Sequence, residues 1–542
     1  MVFSRDNKNK TQLISLSPAK FNSFLSFLNM TDSELPRLIQ QMLEPDFYSH
    51  PVQEPIELLQ THISFILLTG EYAYKIKKTV DFGFLDYSTL EKRRYFCEQE
   101  LQLNQQQAPE LYLEVLPIIE IGDRFQFDNN QNHAVEYALK MRQFPQDNLF
   151  INLFTQDKLT KQEMEDLGNV VADFHFNCPT NDHILKFGEI AQVRHSIDGN
   201  YLKTEKYIGC CQTQDQYEQT KEYTDRFFET HQLVFESRIQ NRWIRECHGD
   251  LHLKNICIYQ EKILLFDRIE FNQEFRFVDV IYDVAFVVMD LEARGRADLG
   301  NRFLNTYIEQ TGDWEGLQLL PFYLTRQAYV RAKVNSLILD DSAISEEQKE
   351  IAKQEAIQYY KLAWQYTRRS SGGMVMMSGL SGSGKSTTAR QLSKRLNAIH
   401  IRSDAVRKHL AHVPLHESGG EEIYTPEMTD KTYKRLLELG LLLAKQGFWV
   451  ILDAKYEQQE RREEVIETCH THQLPLQIIE CTAPMDILQE RLQQRQGDIS
   501  DATVDLLTSQ RATSQPFTDS EKNYLTTIDT TQNIDQQWKK LY

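Results

Sequence analysis

Paired cysteines are missing from this chain. It has eight cysteines, of which only Cys210 and Cys211 are neighbours, and no Cys-x-x-Cys pair occurs. Neither a zinc ribbon nor a disulfide framework is expected, and a reducing, cytoplasmic setting fits. Long apolar runs are missing too, so no membrane span is expected. The opening residues, MVFSRDNKNK, lack the apolar stretch of a secretory signal. Positive charge is in deficit: 60 Lys and Arg against 78 Asp and Glu leave a net charge of -18. That balance argues against nucleic acid or an anionic membrane as a general partner and leaves room only for a local basic cleft. No internal repeat or long low-complexity tract appears. At 542 residues the chain exceeds what one core accommodates, which points to two to four domains.

Glycine is sparse, with 22 residues in the whole chain, yet three fall within Gly379-Leu380-Ser381-Gly382-Ser383-Gly384-Lys385-Ser386. This stretch follows an apolar run, Met374 to Met377, and precedes a helix-like segment, Thr387 to Leu396. Strand, glycine loop and helix in that order make a Walker A phosphate loop. The glycines let the backbone curl with its N–H groups inward as an anion nest, and the helix start adds its positive dipole end. Lys385 is expected to reach the β- and γ-phosphates of ATP, and the Ser386 hydroxyl to hold Mg²⁺, with Thr387 completing the nucleotide set.

Downstream, Ile399 to Asp404 reads as a strand ending in a carboxylate. Asp404 is a candidate base for an acceptor hydroxyl, and Arg407 a candidate clamp on an acceptor phosphate or carboxylate. Gly447 to Asp453 reads as a buried strand whose terminal Asp453 fits a Walker B acid acting on Mg²⁺ through water. Leu476 to Cys481 is a further strand. The helix after it carries Arg491 and Arg495 at i, i+4, on one face, as a lid over phosphates or as a solvated face.

The first half carries a second constellation. From Thr31 a helix is expected, with cap candidates Thr31-Asp32-Ser33-Glu34 and apolar Leu35, Leu38, Ile39 and Met42. Ile63 to Leu68 and Tyr72 to Lys77 read as two strands around the turn Thr69-Gly70-Glu71. In the second strand Ala73, Lys75 and Lys77 share a face. A helix over Leu90 to Asn104 offers Glu98 or Glu100 as partner for the strand lysine. Val135 to Met141 reads as another strand. Further on comes Cys247-His248-Gly249-Asp250-Leu251-His252-Leu253-Lys254-Asn255-Ile256, then the strand Ile263 to Phe266 ending in Asp267. Phosphoryl transfer needs one carboxylate for the attacking hydroxyl and an Asn plus a second Asp for Mg²⁺. Asp250 is placed for the first role, and Asn255 and Asp267 for the metal.

This pattern resembles the aminoglycoside/choline phosphotransferase branch of the kinase-like superfamily, over roughly residues 30 to 340. The resemblance implies a two-lobed ATP-dependent kinase of small molecules. Asp250 is then the catalytic base, Asn255 and Asp267 the Mg²⁺ ligands, and Lys75 the grip on ATP, oriented by Glu100 or Glu98. It also places the adenine hinge after residue 141, and Asp283 as a brace of the catalytic loop. It assigns the helices over 297 to 311 and 318 to 339 to the acceptor region. Two departures stand out. No Gly-x-Gly-x-x-Gly loop precedes Lys75, and Leu253-Lys254 replaces the Pro-Gly common in that family. Residues 372 to 540 resemble P-loop kinases of the gluconate kinase, chloramphenicol phosphotransferase and polynucleotide kinase type, with Arg402-Ser403-Asp404 and the segment Gly497 to Thr503 as further likenesses.

The expected architecture combines α/β and α+β parts: an extension over 1–29, a kinase-like domain over 30–342, a helical linker over 343–371 and a P-loop domain with a parallel sheet over 372–542. The expected activity is ATP- and Mg²⁺-dependent transfer to hydroxyl groups of small-molecule acceptors at two sites. An ATP-sensing regulator and a 5′-hydroxyl polynucleotide kinase are the alternatives, the latter disfavoured by the acidic balance.

Overall fold

The computed structural model describes residues 35–128, 133–341, 344–368, 372–494, 499–500 and 503–541. The expected extension, the cap candidates Thr31 to Glu34, Arg495 and most of 497–503 lie outside them. Contacts divide the chain into two compact units. The first takes residues 1–160, 173–295 and 322–367, and the second 161–172, 296–321 and 368–542. No described helix is long and apolar enough to cross a membrane.

In the first unit six strands form an antiparallel sheet: β1 (Glu57–Gln60), β2 (Ser64–Leu68), β3 (Tyr72–Lys77), β4 (Tyr112–Ile121), β5 (Arg124–Phe127) and β6 (Ala134–Arg142), in the order β1-β2-β3-β6-β4-β5. Alternation along β3 sorts its side chains. Tyr74 and Ile76 join an apolar cluster with Leu67 and Ile39. The opposite face carries Lys75 and Lys77 to helix α1 (Leu90–Asn104), capped by Thr89, which accepts from Lys92 N at 3.3 Å. The helix ahead of the sheet is shorter than expected. It runs over Arg37–Met42 behind Pro36, whose fixed φ suits a helix start but whose ring offers no capping oxygen.

The helical part of this unit holds β7 (Ile244–Glu246) and the antiparallel hairpin of β8 (Ile256–Tyr259) and β9 (Lys262–Leu265). Strand β10 (Phe277–Asp279) pairs with β7. Helix α2 (Val280–Ala293) is buried on nearly every side, and Asp279 caps it by accepting from Ile281 N at 2.9 Å. Two helices follow, α3 (Leu320–Ile338) and α4 (Glu346–Tyr366). Ser345 and Gln348 form a capping box on α4. This helix falls within the expected linker and groups with the first unit.

The second unit is a five-stranded, all-parallel sheet of β11 (Gly373–Ser378), β12 (Ile399–Arg402), β13 (Trp449–Asp453), β14 (Leu476–Thr482) and β15 (Leu525–Asp529), in the order β12-β13-β11-β14-β15. Being parallel, its strands are covered on both faces. Val375, Met377 and Ile451 pack with Ala389 and Leu392 of α5 (Lys385–Leu396). Helix α6 (Ser403–Leu410) follows β12. Gly440 lets α7 (Pro426–Lys445) sit close on the sheet, because a Cβ there would meet Leu452 at 2.8 Å. Helix α8 (Met485–Gln494) follows β14. The helix Ala297–Thr311 also belongs to this unit, where Asn301 and Asn305 each donate to Ala398 O at 3.0 Å.

Candidate active sites

In the first unit, β3, α1 and the end of the β8–β9 hairpin bring their charged residues together. Lys75 Nζ donates to Glu100 Oε1 at 2.7 Å and to Asp267 Oδ1 at 2.6 Å. Of the two candidate partners, Glu100 is the one in place; Glu98 pairs with Arg94 on the exposed face of α1. Glu100 also holds Lys77, at 2.6 Å from Oε2. Burial works against the Glu100 carboxylate, but two ammonium groups outweigh it and keep its pKa well below the ordinary value. Lys77 reaches Glu270 Oε1 at 2.5 Å, and Tyr87 donates to the same carboxylate. Lys77 was legible as a face-mate of Lys75. Glu270 and Tyr87 carried no signal, since only the fold brings them to it.

Asp283 fixes the loop that carries Asp250. Its carboxylate accepts from His248 N at 2.7 Å and Gly249 N at 2.9 Å, with His175 Nε2 at 3.3 Å. Gly249 is obligatory here: φ is +87°, and a Cβ would lie 2.5 Å from Phe275 O. His175, Cys247 and Asp283 have donor atoms within 4.8 Å of one another, but both Asp283 oxygens are already taken by the loop N–H groups. Asn255 Nδ2 donates to Asp250 O at 2.9 Å and Oδ2 at 3.3 Å. Burial would raise the Asp250 pKa; His252, 3.4 Å away, and the charge of Arg331 hold it down at about 2. Asp250 is therefore ionised at neutral pH. Asp267 has φ +61° and a half-exposed side chain, and its N–H is fixed on Tyr112 OH at 3.0 Å. Where a glycine loop is lacking, Gly70 N–H donates to Gln143 Oε1 at 2.8 Å, which ties the β2–β3 turn to the segment after β6.

In the second unit the phosphate loop follows β11. Gly379 has φ +132°, and a Cβ on it would lie 2.4 Å from Cys481 O. Among the described residues the N–H groups of Gly382, Gly384, Lys385 and Ser386 make no hydrogen bond. Lys385 Nζ bridges Gly379 O and Leu380 O, both at 2.9 Å. Burial lowers its pKa. Asp453 ends β13 as expected. Burial opposes its charge, yet the bond from His400 Nε2 at 2.9 Å, with Arg402 and Lys385, holds its pKa at about 2. His400, on the neighbouring strand, escaped the sequence reading; a histidine inside the apolar run Ile399–Ile401 was its only signal.

Lys385, Arg402 and Asp453 line a cavity of about 860 Å³ that also holds Ser386, Thr387, Asp404 and Arg407. Asp404 lies in the first turn of α6, one element later than the strand end expected for it, because the chain turns helical at Ser403. Burial raises its pKa against the pull of Arg402. Arg407 is buried, donates to Ile423 O at 3.0 Å and Thr429 Oγ1 at 3.2 Å, and keeps a buried Nε without a partner. Arg491 donates to Thr530 Oγ1 at 2.8 Å, Thr530 O at 2.9 Å and Gly382 O at 3.3 Å, so it is tied to the loop itself. Ser381 N is held by Gln510 Oε1 at 3.1 Å. Seven basic side chains line the cavity against three acidic ones, a local excess that the acidic chain concealed.

The second unit thus has the architecture of a P-loop domain, a phosphate loop between a strand of a parallel sheet and a helix, and the first joins a six-stranded antiparallel sheet to a helical part. The family model described as an AAA domain matches residues 374–517. An uncharacterized protein of Mycobacterium tuberculosis is 28% identical over 464 residues, which is 84% of this chain and 90% of that protein. An adenylyl-sulfate kinase of Myxococcus xanthus is 31% identical over 133 residues, 23% of this chain and 64% of that enzyme. Among solved structures, an amicoumacin kinase in complex with AMP-PNP, Ca²⁺ and its ligand covers 61% of this chain and 96% of its own, with 14% identity and a TM-score of 0.38.

Proposed function

We propose that the chain is a bifunctional ATP-dependent phosphotransferase with two separate Mg·ATP sites, each transferring the γ-phosphate to a hydroxyl of a small-molecule acceptor. The observation that carries this reading is that each unit gathers its own set: Lys75, Glu100, Asp250, Asn255 and Asp267 in one, and the phosphate loop with Lys385, Ser386 and Asp453 in the other. The likeness of 133 residues of this chain to an adenylyl-sulfate kinase supports phosphoryl transfer.

The donor sets are hard oxygens and fit Mg²⁺: Asn255 and Asp267 would hold it in the first unit, Ser386 and Asp453 in the second. Bound there, the ion would neutralise charge on the transferring phosphate. In the first unit Lys75 grips the ATP phosphates while Glu100 keeps it oriented. Asp250, ionised but a weak base, orients the acceptor hydroxyl and takes its proton late in the transfer. A bond forms between the acceptor oxygen and the γ-phosphorus, the bond from that phosphorus to the β,γ-bridging oxygen breaks, ADP leaves, and the proton passes from Asp250 to solvent. In the second unit the free N–H groups of the loop and Lys385 hold the phosphates. Asp404, with its raised pKa, is the better-matched base, and Arg407 clamps an acceptor anion.

The test is ATP turnover against sugars, sugar acids, aminoglycosides, nucleosides and 5′-hydroxyl oligonucleotides. Wild type runs beside Asp250→Ala and Lys385→Ala. Acceptor-stimulated turnover should fall about 100-fold or more at one site in each variant; turnover unchanged in both refutes the reading. The ATP-sensing alternative draws on Gly70, whose N–H is engaged by Gln143. Tight nucleotide binding without stimulation by any acceptor would favour it.

A further inference from the structure

One N–H of the phosphate loop is taken by a side chain from outside the loop. Ser381 N donates to Gln510 Oε1 at 3.1 Å, whereas the N–H groups of Gly382, Gly384, Lys385 and Ser386 make no hydrogen bond among the described residues. Ser381 and Gln510 are both buried. Inward N–H groups of such a loop favour an acceptor of negative character. The Gln510 amide oxygen is such an acceptor, and it stands on an N–H that a phosphate oxygen would otherwise use.

Gln510 lies on the helix Leu506–Thr513, which has little else to hold it. Of its 8 residues only Leu507 and Gln510 are buried. Leu507 packs with Leu488 and Leu492 of α8, and Leu380 of the phosphate loop rests against the same cluster. Leu506, Ser509, Gln510 and Thr513 recur at helical spacing and line the 860 Å³ cavity together with Ser381 and Lys385. Arg511 and Ser514 line a second cavity, of about 360 Å³. The chain just past the helix is anchored. Gln515 N donates to Glu457 O at 2.9 Å, and Gln515 O accepts from Arg462 Nη1 at 3.2 Å. The helix is thus fixed at its C-terminal end, seated on the loop by one apolar and one polar side chain, and bordered by open volume.

A single N–H cannot serve an amide oxygen and a phosphate oxygen equally. Hydrogen bonds to an ionised acceptor are roughly twice as strong as neutral ones, so a phosphate wins the exchange. We propose that Gln510 is a latch on the second site. Its side-chain oxygen occupies a phosphate position of the loop and holds the helix Leu506–Thr513 there, and it must give up Ser381 N–H before a nucleotide phosphate can take it. Nucleotide and latch then oppose each other by the same factor, whichever is varied. This rests on the nucleotide reading of the second unit, and adds a regulatory contact to it.

The test uses the full chain carrying Lys75→Ala, which leaves the second site to bind nucleotide. Mg·AMP-PNP is titrated calorimetrically. Gln510→Leu keeps the size of the side chain and removes the acceptor, so affinity should rise about two- to tenfold, the worth of one hydrogen bond. Gln510→Glu puts a charged acceptor on the same N–H and a like charge beside the phosphates, so affinity should fall about tenfold or more. Hydrogen exchange without nucleotide reads the latch itself. Peptides spanning 506–513 should exchange about threefold faster or more in Gln510→Leu, while peptides from β13 exchange as in the parent. Weaker AMP-PNP binding in Gln510→Leu would make Gln510 a nucleotide ligand and overturn the proposal. Unchanged affinity, or unchanged exchange over 506–513, would overturn it too. AMP-PNP binding that is absent from the Lys75→Ala chain, or indifferent to Lys385→Ala, would instead overturn the nucleotide reading, and the proposal with it.

Discussion

Glu100→Gln tests the buried charge network of the first unit. The substitution keeps volume but removes the charge that holds two buried ammonium groups, Lys75 at 2.7 Å and Lys77 at 2.6 Å. Breaking a buried pair costs about 3–5 kcal/mol. Each lysine retains a second carboxylate, Asp267 or Glu270, so the lower end, about 3 kcal/mol, applies. At about 2.1 cal/mol/K of unfolding entropy per residue, a unit of roughly 330 residues shifts by about 1.5 °C per kcal/mol, so melting should fall by about 4–5 °C at pH 7. Scanning calorimetry of the full chain reads the shift, and hydrogen exchange in peptides from β3 and α1 assigns it to the first unit. The pH dependence has a definite sign. The folded Glu100 pKa is depressed, so its stabilisation is complete above the unfolded value near about 4.3 and is lost as pH falls toward the folded one. The gap between wild type and variant should therefore narrow from pH 5 to pH 3. Glu98→Gln, an exposed i, i+4 pair, should change stability by less than about 0.5 kcal/mol. A Glu100→Gln shift under about 1 °C at pH 7, or a gap that widens in acid, would refute the reasoning.

Gly379→Ala sets a Cβ 2.4 Å from Cys481 O at φ +132°. It should abolish nucleotide binding at the second site, read by titration in a Lys75→Ala background, while circular dichroism stays near wild type. His400→Ala removes the 2.9 Å bond to Asp453. The Asp453 pKa should then rise from about 2, so the acid limb of the second site's pH–rate profile should move to higher pH; an unmoved limb would count against a role for the ionised carboxylate.

Much of both sites was legible because its residues are close in sequence or carry a spacing that only one chemistry needs. The phosphate loop, the Asp250 to Asn255 loop and Asp267 are of this kind. Lys75 was legible because period two put it on a face, and α1 supplied its acid within one element. What was not legible came from long-range packing. Arg331 sits on a helix whose apolar pattern says that one face is buried but not against what. The same limit hides why the helix Ala297–Thr311 groups with the second unit: Asn301 and Asn305 meet Ala398, about a hundred positions on. Asp404 was placed one element too early because β-like residues run straight into Ser403, and only the helical turn after it shows where the strand stops.

Two sites per chain is the central claim, and nucleotide stoichiometry tests it most directly. Titration of the full chain with Mg·AMP-PNP should give two equivalents in wild type, one in Lys75→Ala, one in Lys385→Ala, and none in the double variant. A single equivalent in wild type that Lys75→Ala leaves untouched would contradict it.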